Sequence, residues 1–184
     1  LSLAGHKCIA GVLVTGGRFM KRIVALFLVL GCIISIYAQG NQSKRILFLY
    51  DEDNEKIEPY KTMIENELNM NGLQYDVSNV QNIQNKDLTA YDTVIIYSIV
   101  MAFNTKSPIR NWLNAKPDLA NKKVGLLVTA NRWFLNNLLN GQMNLLKKQQ
   151  ATIIDAVSSA TKDLTEPQKA ALIKNFIRAV KDKT

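Results

Sequence analysis

At 184 residues, with 47% of positions hydrophobic and 21% charged, the chain has the composition of one ordinary globular domain with room for a proper core. Its formal charge of +8 is dispersed, and no basic stripe with interleaved aromatics runs through it, which argues against a nucleic-acid surface. The Lys122–Lys123 and Lys147–Lys148 pairs read as solvated element ends.

Residues 1–19 sit upstream of "MKRIVALFLVLGCIISIYAQG" and read as an over-extended start, with Met20 the initiator. Lys21 and Arg22 form a basic region, Ile23 to Ile36 an apolar run, and Ala38 precedes the polar "QGNQSK". That order predicts a secretory signal peptide cut near Ala38, an exported protein of periplasm or envelope, and no membrane span after processing. A retained anchor is the alternative, as is lipidation at Cys32, because "VLGC" resembles a lipobox. Cleavage would remove Lys7, Arg18, Lys21 and Arg22, taking +8 to +4. It would also remove His6, Cys8 and Cys32, which are all the histidine and cysteine of the chain. A Ser-His-Asp triad, a cysteine nucleophile, a thiol redox pair, a His/Cys zinc site and a disulfide are then excluded from the mature domain, residues 39–184.

Ile46 to Tyr50 is a continuous apolar run that suits a strand buried on both faces. Pro59 opens a helix carrying Tyr60, Met63, Ile64 and Leu68, and Asn71–Gly72 stops it. "LQYDV" is a short second strand, and "NKDLTAYD" is a polar connection with little room for a long helix. "TVIIYS" is the third strand. Ser107–Pro108 opens a helix with Ile109, Trp112 and Leu113, and "KKVGLLVTA" is the fourth strand. "FLNNLLNGQMNLLKKQQ" has helical periodicity with a weak point at Gly141, "ATIIDAV" is the fifth strand, and "SSATKD" is the loosest segment. Thr165 and Gln168 make a capping box for a last helix presenting Leu172, Ile173, Phe176, Ile177 and Val180. Strands of buried type alternating with helices predict an α/β fold with a parallel sheet covered on both sides.

The stretches "KRILFLY", "NGLQYDV", "DLTAYDTVIIYS", "SPIRNWL" and "NKKVGLLVT" resemble the framework of the flavodoxin-like family over Lys44 to about Lys181. The resemblance implies a three-layer doubly wound sandwich with a five-stranded parallel sheet of order 2-1-3-4-5. It also implies an FMN at the carboxyl ends of the strands, electron transfer as the work, and a redox partner or small-molecule ligand. By position the flavin would meet three loops. The first, Asp51 to Lys56, would hold the phosphate through Asp51, Asp53 and Asn54. The second would offer Ser98, Ile99 and Asn104, and the third Ala130, Asn131, Arg132 and Trp133, with Trp133 and Phe134 as stacking partners. The bland reading of Trp133 and Phe134 is packing at the start of the next helix.

The first loop departs from the family. Flavodoxins place Ser, Thr and Gly there, so that hydroxyls and backbone N–H groups face the phosphate. Here Asp51, Glu52, Asp53 and Glu55 crowd the position of a dianion. One unit-charge pair at about 5 Å and an effective dielectric near 20 costs roughly 3 kcal/mol. A cofactor-free binding or accessory module of the envelope is therefore the alternative reading. The acidic turn also resembles that of response-regulator receiver domains. Those need a phospho-accepting Asp at the end of the third strand, where this chain has Ser98 or a neighbour. A hard-cation site on Asp51, Glu52 or Asp53 competes with a solvated acidic helix start. Tyr50 and Tyr97 are candidates to line the cleft, and Asp155 is expected to end the fifth strand. Ser158, Ser159 and Thr161 have no base to activate them.

Overall fold

The computed structural model describes residues 45–100, 107–130, 135–160 and 163–184. Its elements follow the predicted order. They are β1 (Ile46–Tyr50), α1 (Glu58–Met70), β2 (Tyr75–Asn79), β3 (Thr93–Val100), α2 (Pro108–Asn114), β4 (Lys123–Ala130), α3 (Leu135–Lys148), β5 (Thr152–Ala160) and α4 (Glu166–Lys183). The polar connection before β3 holds two short 3-10 turns, Val80–Asn85 and Leu88–Ala90. All four strand pairings are parallel, and the order is β2-β1-β3-β4-β5.

The pleat of the apolar strands divides the core in two. Leu47, Leu49, Val94, Ile96, Val124 and Leu126 face one side and pack with Ile109 and Leu113 of α2 and Leu138 and Leu146 of α3. Ile46, Phe48, Ile95, Tyr97 and Leu127 face the other, under Tyr60, Ile64 and Leu68 of α1 and Ile173, Phe176, Ile177 and Val180 of α4. Three layers result, as the periodicity predicts. Gly141 does not interrupt α3, which runs unbroken from Leu135 to Lys148. A Cβ added there would meet nothing within 4 Å, so only propensity counts, and the flanking Leu138 and Leu146 anchor the helix.

Two features of β5 differ from expectation. Ser158, Ser159 and Ala160, expected in the loosest segment, continue the strand by pairing with Val128, Thr129 and Ala130. Asp155 lies mid-strand, opposite Gly125, rather than at the strand end. Polar composition suggested a loop, but the parallel ladder with β4 takes the backbone groups and overrides it.

Helix α1 ends as its sequence predicts. Gly72 has φ +65°, its N–H donates to Asn69 O (3.0 Å), and Leu73 N–H donates to Leu68 O (3.1 Å), which together form a Schellman stop. Gly72→Ala is expected to cost about 1 kcal/mol through the left-handed backbone alone, since nothing lies within reach of a Cβ. The check is the urea midpoint at an unchanged m-value. Helix α4 begins at Thr165, whose N–H donates to Gln168 Oε1 (2.9 Å).

Among the described residues no helix is long and apolar enough to cross a membrane.

Candidate functional site

The carboxyl ends of β1 and β3 meet at the point where the chain leaves the sheet in opposite directions. The crossover through α1 covers one face and that through α2 the other. In open α/β sheets the crevice outside such a point is where ligands bind.

Asp51, directly after β1, is 1% exposed. Ile99 N–H donates to its Oδ2 (2.6 Å) and Ile109 N–H to its Oδ1 (2.7 Å). Ile99 is near the end of β3, and Ile109 follows Pro108 in the first turn of α2, so one carboxylate ties the first turn to two other elements. Burial raises the Asp51 pKa to about 6, against the opposing pull of those two N–H groups and of the Ser98 and Ser107 hydroxyls. Ser107 is the N-cap of α2, accepting from Arg110 N–H (3.1 Å). Its Oγ lies 3.2 Å from Ser98 Oγ, which in turn accepts from Gln142 Nε2 (2.9 Å). Gln142 Oε1 is buried with no partner among the described residues. Asp51 is thus the centre of a buried polar cluster spanning β1, β3, α2 and α3. Of the four carboxylates that sequence places around a dianion, this one is turned inward.

Asp53 is exposed and engaged differently. Tyr50 OH donates to its Oδ1 (2.6 Å) and Asn79 Nδ2 to its Oδ2 (2.8 Å), which holds its carboxyl below the usual carboxylate range. Asn54 closes the turn on itself. Its Oδ1 accepts from Lys56 N–H (3.0 Å) and Ile57 N–H (3.1 Å), and its carbonyl accepts from Ile57 and Glu58. Its Nδ2 is buried and has no partner among the described residues.

The other strand ends carry hydroxyls. Ser98, Thr129 and Ser159 are all buried, with Tyr97 OH 3.2 Å from Thr129 Oγ1 and Tyr60 OH 3.3 Å from Ser159 Oγ. Tyr97 is fully buried, so it is a core residue and not a wall of the cleft. Tyr60, near the start of α1, stacks against it at 5.6 Å between ring centroids. Ala130 is buried at the end of β4. The structure therefore brings Asp51, Ser98 and Ile99 into direct contact, sets Asp53 and Asn54 beside them in the same turn, and places Ala130 two strands from β1. Asn104, Asn131, Arg132 and Trp133 lie outside the described residues, as do Phe134 and Thr161. Two open cavities, of about 570 and 590 Å³, lie at the amino ends of the strands, away from this site. No group of three or more His, Cys, Asp or Glu placed to hold a metal ion occurs among the described residues.

Sequence reasoning missed Ser107 and Gln142 as members of the cluster. Gln142 carried a signal, a polar residue at a helical position in phase with the buried Leu138 and Leu146.

Similarity in three dimensions follows this architecture. Oxidised flavodoxin 2 from Bacillus cereus superposes with a TM-score of 0.60 at 19% identity, covering 76% of this chain and 99% of that one. The fold is flavodoxin-like. A Streptococcus pneumoniae TIGR4 flavodoxin gives 0.62 at 13% identity, with 76% and 99% covered. The Fusobacterium nucleatum flavodoxin bound to flavin mononucleotide gives 0.59 at 14%, with 76% and 98% covered. By sequence the chain matches no family model and no curated relative.

FMN is the group this fold implies, and its phosphate does not fit the turn after β1. A phosphate needs backbone N–H groups aimed at it and no surplus of negative charge. Here Asn54 takes the N–H groups of Lys56, Ile57 and Glu58, and Asp53 takes the side-chain donors Tyr50 and Asn79. Asp53 and Glu55 are exposed and Glu52 is half-exposed beside them.

Proposed function

We propose that this domain binds a flat redox ligand of the flavin class at the carboxyl ends of its strands and serves electron transfer in the cell envelope. The observation that carries the reading is the sheet order β2-β1-β3-β4-β5, which sets a ligand crevice at the β1/β3 switch point. The Fusobacterium flavodoxin carrying FMN and a putative quinone reductase from Klebsiella pneumoniae (TM-score 0.51, 13% identity) support it by fold. When bound, such a ligand supplies the electron chemistry, and the protein supplies position and polarity. The hydroxyls of Ser98, Thr129 and Ser159 and the buried Asp51 cluster give the strand ends a fixed, polar floor.

A second reading, a flavodoxin-fold binding or accessory module without a flavin, is favoured by the turn at Asn54, which already takes the N–H groups of Lys56, Ile57 and Glu58. Titration of riboflavin and FMN into the purified protein, followed by flavin fluorescence, separates the two. Quenching by either flavin with a Kd of about 10 µM or tighter is the expected result. No quenching by either up to about 1 mM removes the electron-transfer reading and leaves the accessory module. The export part of the proposal has its own test. Mass spectrometry of the protein from an expressing bacterial envelope should give a chain beginning near Gln39, and a chain retaining Met20 would refute cleavage.

A further inference from the structure

Resting on the flavin-class reading, the geometry points to a more specific ligand: the site selects against phosphate, and the form it takes is a flat ring with an uncharged, hydroxylated side chain. Three independent features of the first turn agree on this.

The protein already supplies an anion of its own. Asp51 spends both carboxylate oxygens on Ile99 N–H and Ile109 N–H, so those two donors are satisfied before any ligand arrives. The donors at the start of α1 are likewise spent on Asn54. A phosphate arriving here would lose its water shell and find the N–H groups of Lys56, Ile57, Glu58, Ile99 and Ile109 already taken, which makes its transfer less favourable.

The remaining charges repel it. Glu52, Asp53 and Glu55 lie within a four-residue stretch at this turn and outnumber its one lysine, Lys56, while Lys61, the cation above Tyr50, sits 5.1 Å from that ring and also bonds Glu58. A dianion feels each carboxylate twice over, whereas a neutral ligand feels none.

One buried side-chain donor does remain. Asn54 Nδ2 has no partner among the described residues, and a buried donor without an acceptor is costly. In an acidic neighbourhood its best complement is a neutral acceptor such as a hydroxyl or carbonyl oxygen. A ribityl-type chain offers such oxygens without a charge.

The test is a parallel titration of riboflavin and FMN into the full chain at about 50 mM and about 500 mM salt. Riboflavin should bind about tenfold more tightly than FMN at low salt, and the gap should narrow at high salt as the repulsion is screened. The double substitution Glu52→Gln, Glu55→Gln, both at solvent-accessible positions, should tighten FMN several-fold and leave riboflavin unchanged. FMN binding as tightly as riboflavin, or more tightly, overturns this selectivity while leaving the flavin reading standing. If neither flavin binds, the flavin reading fails and the selectivity fails with it. A preference for riboflavin that the double substitution does not alter would overturn the electrostatic cause.

Discussion

Exchanging Asp51 for alanine is expected to destabilise the fold by about 3 kcal/mol, measured as a fall in the urea midpoint at constant m-value. The change strips the acceptors from Ile99 N–H and Ile109 N–H, both buried, and leaves the Ser98 and Ser107 hydroxyls without their common partner. Each orphaned buried donor costs about 1–3 kcal/mol, partly offset because a buried charge is also removed. The wild type should show the signature of that charge. Its Asp51 pKa is about 6 when folded against 3.8 for an ordinary aspartate, so between those two values the folded state holds the proton more tightly. Stability therefore falls as pH rises through that window and is flat above it, with a full excursion of up to about 3 kcal/mol. The carboxyls of Asp53, Asp76 and Asp87 are lowered and act in the opposite sense at more acid pH. In Asp51→Asn the decline between about pH 4 and pH 6 should disappear, whatever the cost of the amide itself. A wild type that grows steadily more stable from pH 4 to pH 7 would show that Asp51 is not the buried, ionisable centre of this cluster.

The same residue shows how far sequence reasoning reaches. An apolar five-residue run followed by acids was legible as a buried strand and a turn, because burial on both faces leaves no polar position in the strand. The layer order, the Gly72 stop and the Thr165–Gln168 start were legible for the same reason: each is fixed by local chemistry within a few residues. The direction of Asp51 was not. Whether a carboxylate at a strand end faces solvent or turns inward depends on donors supplied 48 and 58 residues away, by Ile99 and Ile109, and nothing near Asp51 announces them. Asp155 was misplaced for a related reason. The ladder with β4 extends β5 past its apolar residues to Ala160, and the pairing partner, not the strand's own composition, sets where it ends. Local signals gave the frame, while the site is built from contacts distant in sequence.

Gly125 makes the point within the core, and its replacement is the other large effect expected. It sits in β4 beneath α4, where a Cβ would lie 2.8 Å from Val180 Cγ2 and 3.1 Å from Phe176 Cζ. Both neighbours are buried, and both belong to the helix that covers this face, so neither can retreat without shifting α4 or losing its rotamer. The sheet is already irregular here. β5 carries an extra residue opposite the Val124/Gly125 step, and Gly125 pairs with Asp155. A strand residue other than glycine normally recovers about 0.5–1 kcal/mol of backbone entropy, so the sign rests on whether steric overlap exceeds that gain. At 2.8 Å against a packed side chain the overlap wins. Gly125→Ala is expected to cost about 2 kcal/mol, and Gly125→Val, with two further methyl groups in the same space, about 3 kcal/mol or more. Urea unfolding of both variants checks the order. The cause is checked by a cycle with Val180→Ala, which deletes the nearest atom: the two changes together should cost about 1 kcal/mol less than their sum. A Gly125→Ala protein as stable as the wild type would mean that α4 rides further from the sheet than its packing against β4 implies.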